Sequence, residues 1–330
     1  MASGISHMLI SQKVLSELAE SDLKNYLMGN LEFIYVGSVG PDLPYLSILD
    51  TDLFKQEKKV ADLFHYTDTD QIVLRGLQKV KSSKESLEIR AAQFTFLMGY
   101  GSHVIIDGVI HPYVRDMVGD YKGNETAHRK LEMSFDVYLY ELFRGAEMNY
   151  SEFHKNVLLI EDSELKAEVL SFFSLLIHDV YGSNEEFQKD AKDVTPEKIQ
   201  KWISALCLSL EVAEGDFPWI YRKLLGERGV SFYNIEDIKN EESKNLFLRL
   251  PVDSEEKSLS CNFLQSDKEV DFINEVVPLC EQRVSLFWKC AFGYVFEGAE
   301  EPDFPAINLD TGRLLSRPSL NEIPYYWRNV

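Results

Sequence analysis

The sequence predicts an all-α multihelical bundle, and three observations point there. Apolar residues recur at three- and four-residue spacing through most of the 330 residues, the period that lays one stripe along an α-helix. Period-two alternation, the mark of a half-buried strand, is scarce, with "SLSCNFLQ" (258–265) its best instance. The stretch "FLMGYGSHVIIDGVIH" (96–111) is apolar nearly all round, which suits a helix enclosed by other helices.

Taken in order, Ile5, Met8, Leu9, Leu15 and Leu18 sustain a helical stripe over about residues 5–28, with Ser6 as N-cap and His7 in the first turn. "YVGSVGPDLPY" (35–45) reads as a loop that ends in Asp42 between two prolines. "KKVADLFHYTDTDQIVLRGLQKVK" (58–81) has helical periodicity on both sides of a polar break, which places His65 at a helix end. Residues 84–111 form a long helix, amphipathic first and apolar afterwards. After a polar turn, Asn124 or Thr126 caps a helix with Leu131, Phe135, Leu139 and Leu142 inward. Amphipathic helices follow at about 151–181, 195–213 and 267–297. No internal repeat interrupts this series. The charged stretch 183–198 is either a boundary or a surface helix. The expectation is therefore a metal-binding helical core over 1–180 and a mostly helical region over 181–330 that packs on the same core.

Composition excludes several classes. Lys plus Arg number 34 against 54 Asp plus Glu, a net charge of −20, which repels a phosphate backbone and argues against extended nucleic-acid binding. The four cysteines, Cys207, Cys261, Cys280 and Cys290, have no C-x-x-C spacing, so neither a disulfide framework nor a thiolate zinc site is implied. "MASGISHMLISQKVL" has no basic segment followed by a long apolar one, and no run of about 18 apolar residues occurs. A cytoplasmic location is expected for the chain as written, or a secreted one if a leader once preceded it. Oligomeric state leaves no signal.

His103, Asp107 and His111 stand at strict four-residue steps. On a helix such steps drift only about 40° each, so the three side chains share one stripe. Their flanks are Val104, Ile105, Ile106, Val109 and Ile110. Two imidazoles and a carboxylate in that setting are costly unless partnered, and one metal ion satisfies all three. The alternative is a satisfied core histidine, an incidental carboxylate and a helix-end histidine. A second ladder, His128, Glu132 and Asp136, offers the same spacing, and two ladders on adjacent helices can face each other as bundle metal sites do. Spacing alone does not place His7, Asp42 or His65, for which a solvated first turn and a turn former remain adequate readings. Asp136 either accepts a hydrogen bond from a ligating imidazole or is exposed. His154 and His178 read as ordinary residues, and the turn Asn308–Gly312 as structural.

"SHMLISQKVL", "GSVGPDLPY", "DLFHYTDTD", "FLMGYGSHVIIDGVIHPYV" and "AHRKLEMSFDVYLY" together resemble the zinc-dependent phospholipase C family, whose fold is shared with fungal single-strand-specific zinc nucleases. The motifs keep the family's order over about residues 5–140, and H-x-x-x-D-x-x-x-H-P with H-x-x-x-E is the most specific of them. The resemblance implies that Asp42, His65, His103 and Asp107 surround one zinc, that His111, His128 and Glu132 hold another, and that His7 helps to bind a third bridged by Asp107. In secreted members the third metal is also held by an N-terminal tryptophan. In this chain no tryptophan precedes Trp202 and six residues precede His7, so two zinc ions are expected and the third is left open.

The same resemblance implies hydrolysis of a phosphodiester by a metal-bound hydroxide, with Asp42 as a ligand that also orients or deprotonates the nucleophile. A phospholipid is the leading substrate, with weak membrane-surface contact, because the acidic charge argues against adsorption to anionic lipid. The alternatives are a single-strand nuclease of the same fold, and a non-catalytic helical binding protein that metals stabilise.

Overall fold

The computed structural model describes residues 4–49, 51–184, 187–214, 248–249 and 270–315. Helices dominate. α1 (Gly4–Glu17) and α2 (Asp22–Met28) replace the single helix expected over 5–28. The break arises because Ser21 adopts an extended backbone and its hydroxyl accepts the Lys24 amide at 3.3 Å, capping a new helix. Ser6, expected as an N-cap, instead lies inside α1 and points its hydroxyl elsewhere.

α3 (Leu31–Gly37) leads into a 3₁₀ run, Gly40–Leu49. The segment 35–45, expected as a loop, is thus mostly helical, and Asp42 lies in the first 3₁₀ turn. The φ that proline fixes fits a 3₁₀ turn as well as an open one. α4 (Thr51–Tyr66) and α5 (Gln71–Ser82) flank the polar break, and His65 is in the last turn of α4 as expected.

α6 (Leu87–Val118) is the axis of the fold, capped by Ser86 and running past 111 despite Pro112 inside it. Phe94, Leu97, Met98, Tyr100, Val104, Ile106 and Val109 are completely buried along it, so packing on all sides offsets the hydrogen bond that Pro112 removes. α3 crosses α6 at two glycines. A Cβ on Gly37 would lie 2.3 Å from the Phe96 carbonyl, and one on Gly99 would lie 2.4 Å from the Ile34 carbonyl.

α7 (Glu125–Arg144) starts at Asn124, whose side chain makes no capping bond, and ends at Gly145 in the left-handed region. Leu131, Phe135 and Leu139 are buried on it as expected, but Leu142, expected inward, is exposed. The expected helix over 151–181 divides at Ser163 into α8 (Tyr150–Asp162) and α9 (Lys166–Tyr181). The charged stretch 183–198 contains α10 (Gln188–Lys192), whose Ala191 is buried, and the start of α11 (Pro196–Glu214). Buried Glu57 of α4 ties α11 down: it accepts the Trp202 indole N–H at 2.8 Å and pairs with Lys198 at 2.9 Å.

α12 (Val277–Phe292), extended at both ends by a wider-wound turn, packs on α1 and α6. Its Trp288 indole donates to the Met98 carbonyl and the Ser102 hydroxyl. Two short antiparallel pairs complete the described residues: β1 (Leu248–Arg249) with β2 (Val270–Asp271), and β3 (Ile307–Asn308) with β4 (Arg313–Leu314). The strand candidate at 258–265 lies outside the described residues. Among these residues no helix is long and apolar enough to cross a membrane, and Cys207, Cys280 and Cys290 are free thiols.

Candidate metal centre

Four helices and the 3₁₀ run bring the eight candidate ligands into three adjoining groups. His7 comes from α1, Asp42 from the 3₁₀ run, and His65 from the end of α4. α6 supplies His103, Asp107 and His111, and α7 supplies His128 and Glu132. In each of the sets His7/His103/Asp107, Asp42/His65/His103 and His111/His128/Glu132, one atom per side chain lies within 4.8 Å of the others. All eight residues are buried.

Three imidazoles are held in one tautomer by main-chain carbonyls. His65 Nδ1 lies 2.8 Å from the Ala61 carbonyl and His103 Nδ1 lies 2.9 Å from that of Ser38. His111 Nδ1 contacts the Leu309 carbonyl. A carbonyl can only accept, so each Nδ1 carries a proton and each Nε2 is the atom turned to the carboxylates. His65 Nε2 is 3.1 Å from Asp42, and His103 Nε2 is 3.0 Å from Asp107. His111 Nε2 is 3.4 Å from both Asp107 and Glu132, and His7 Nε2 is 3.2 Å from Asp107. The rings of His7 and His103 stack at 4.1 Å.

The donor set fits a metal. Both oxygens of Asp42 and of Asp107, Nε2 of His103 and of His111, and Nδ1 of His7 and of His128 are buried without a hydrogen bond of good geometry. Such atoms are expensive to leave in the interior. Imidazole and carboxylate without thiolate is the zinc-compatible combination that leaves positions for water and substrate.

The cluster's own electrostatics keep the carboxylates ionised. Burial pushes the Asp107 carboxyl up, but the imidazoles of His111, His103 and His7 together hold it well below the usual range. Burial likewise opposes ionisation of Asp42, and His65 and His103 reverse it. Burial lowers His111, while Asp107 and Glu132 outweigh it and raise this imidazole to about 9. His7 and His128 are lowered, chiefly by burial.

Asp136 sits outside the groups and is buried, with Ser6 and not a candidate-ligand imidazole as its partner. It accepts the Ser6 amide at 2.7 Å and the Ser6 hydroxyl at 2.6 Å, anchoring the turn of α1 that carries His7. Burial raises its carboxyl to about 7. His154 and His178 lie elsewhere: His154 pairs with Glu211 at 3.3 Å, and His178 contacts the Val194 carbonyl at 3.0 Å.

A profile of the family described as zinc dependent phospholipase C matches residues 6–183. The chain belongs to this family. The match spans more than half of the sequence and contains all eight clustered residues. Membership in the zinc-dependent phospholipase C family supports a zinc-dependent hydrolase of phosphodiesters and agrees with the helical fold. No curated protein and no solved structure matches the chain.

Beside the groups a cleft opens, lined by Tyr45, Lys58, Tyr66, Tyr121 and Asp310 together with His65, His111 and His128. Asp310 and the Leu309 carbonyl were not foreseen as neighbours of the site. They lie about 200 residues from His111, and a main-chain carbonyl leaves no mark in a sequence.

Proposed function

We propose that this protein is a phospholipase C-type hydrolase that cleaves a zwitterionic phospholipid at its phosphodiester, at a centre where Asp42, His65, His103 and Asp107 hold one zinc ion and His111, His128 and Glu132 hold a second. His7 with Asp107 forms a place for a third. Zinc bound there supplies Lewis acidity, neutralising the phosphodiester's charge and acidifying water near neutral pH.

The remaining work falls to the chain. The carbonyls of Ala61, Ser38 and Leu309 hold three imidazoles with Nε2 inward, so ligand geometry exists before substrate arrives. Asp42, ionised and buried at the edge of its group, is the carboxylate placed to orient the attacking water and to receive its proton. The cleft wall, with Tyr45, Tyr66 and Tyr121, orients the headgroup. Contact with the membrane surface is weak, as a charge of −20 requires.

One observation carries this reading: three buried groups of imidazole and carboxylate atoms, each within 4.8 Å, in which the oxygens of Asp42 and Asp107 and Nε2 of His103 and of His111 lack hydrogen-bond partners. The test is hydrolysis of phosphatidylcholine in mixed micelles and of a short single-stranded oligonucleotide by the zinc-loaded protein. Lipid cleavage by wild type, and its loss by a factor of at least about 100 in Asp42→Ala, is expected. Oligonucleotide cleavage without lipid cleavage would reassign the substrate, and inertness of wild type towards every phosphodiester would leave the metals a structural role.

A further inference from the structure

The hairpin formed by β3 and β4 lies far beyond the family-matched segment, which ends at residue 183, yet it is fastened to α4, to α6 and to the turn that follows α4. The Leu309 carbonyl receives His111 Nδ1–H, and the Leu309 amide donates to the His65 carbonyl at 2.9 Å. One residue of this hairpin thus touches α4 and α6, the helices of His65 and His111. At its near end the Thr69 hydroxyl donates to the Ile307 carbonyl at 2.7 Å and accepts the Ile307 amide at 2.8 Å. At its far end Asp310 pairs with Arg115 at 2.7 Å, one helical turn beyond His111. Gly312 then closes the turn against α6. Its φ is +68°, and a Cβ there would lie 2.3 Å from Pro112 Cγ and 2.5 Å from the Gly108 carbonyl, the carbonyl that Pro112 deprives of its helical partner. Ile307 and Leu309 are completely buried.

We propose that residues 307–312 are a strap that positions His111 as a ligand, and that Thr69 and Asp310 are positioning residues acting through the main chain of Leu309. The inference rests on the ligand role given to His111 above. The physical reason is tautomeric. Without an acceptor at Nδ1 the buried imidazole can carry its proton on either nitrogen and can rotate, and a share of molecules then presents no lone pair at Nε2. Ala61 and Ser38 do this work for His65 and His103 from within the matched segment. For His111 the acceptor comes from the C-terminal region, which therefore completes the site and does not merely cover it.

The test compares Thr69→Val, which removes both bonds to Ile307, with Thr69→Ser, which keeps them. Zinc affinity is read by competition with a chromophoric chelator, zinc content by elemental mass spectrometry, and the His111 Nδ1–H signal by NMR of the zinc-loaded protein. Thr69→Val is expected to weaken the most affected zinc by about tenfold or more and to broaden or lose the His111 signal, and Thr69→Ser to restore both. Equal affinity and an intact signal in Thr69→Val overturn the proposal, as does a Thr69→Ser variant as weak as the valine one. If Thr69→Val lacks a cooperative unfolding transition, Asp310→Asn loosens the strap from its far, half-buried end, and wild-type zinc affinity with an unchanged His111 signal in that variant overturns the proposal equally. A wild-type protein that binds no zinc would remove the ligand assignment, and the strap's role with it, which separates failure of the site from failure of the strap.

Discussion

Replacing Gly99 with alanine probes whether backbone contact between α3 and α6 sets the position of His103. The new Cβ would lie 2.4 Å from the Ile34 carbonyl oxygen, 2.8 Å from the Ser38 nitrogen and 2.9 Å from Gly37 Cα. All three are main-chain atoms, so no side chain can turn aside. Comfortable contact begins near 3.4 Å, and the helices must part by about 1 Å to reach it. A displacement of that size takes the Ser38 carbonyl from 2.9 Å to nearly 4 Å from His103 Nδ1, outside hydrogen-bonding range. Overpacking of a tight core costs about 1–3 kcal/mol and the lost buried bond about 1 kcal/mol. Alanine in place of a helical glycine returns about 1 kcal/mol. The expected result is a loss of about 2 kcal/mol in urea unfolding followed by circular dichroism, together with weaker zinc binding. A Gly99→Ala protein that is more stable than wild type, which helix propensity by itself predicts, would refute the reasoning.

Other outcomes follow from the same contacts. Glu57→Ala leaves the buried Trp202 indole N–H unpaired and should cost about 1–3 kcal/mol in thermal unfolding, with zinc content unchanged; a matching loss of zinc would mean that α11 and the site are coupled through α4. Gly312→Ala should both destabilise the protein and weaken zinc binding, because its Cβ meets α6. Gly298→Ala, at φ +79° with open space around it, should show only the left-handed penalty of about 1 kcal/mol, so equal zinc affinities of the two variants would contradict this. His111, raised to about 9, holds a proton at neutral pH in the metal-free chain, and zinc must displace it. Affinity at this group should therefore climb as pH rises from 7 towards 9 and then level off, and titrations in buffers of different ionisation enthalpy at pH 7 should count about one proton released, with a count of zero refuting it.

The elements that the sequence specified well are those whose signal is local. The apolar run of α6, the His65 helix end and the two four-residue ladders follow from helical periodicity alone, and the order of motifs along residues 5–140 marked the family that a profile match then established. Where the reading missed, a competing local bond or a distant contact decided the outcome. Ser21 capped a new helix inside an unbroken stripe, and Pro41 and Pro44 entered a 3₁₀ run instead of an open loop. Asp136 found Ser6, 130 residues away.

The sequence by itself determined which chemistry is available, since imidazole and carboxylate at helical spacing without thiolates is a statement about side chains. Tertiary structure decided which ring nitrogen His103 and His111 present, because that depends on where the carbonyls of Ser38 and Leu309 come to lie. It also brought the C-terminal turn against His111 and His65. Main-chain acceptors are identical in every residue, and only the folding of the chain brings one of them to a chosen nitrogen.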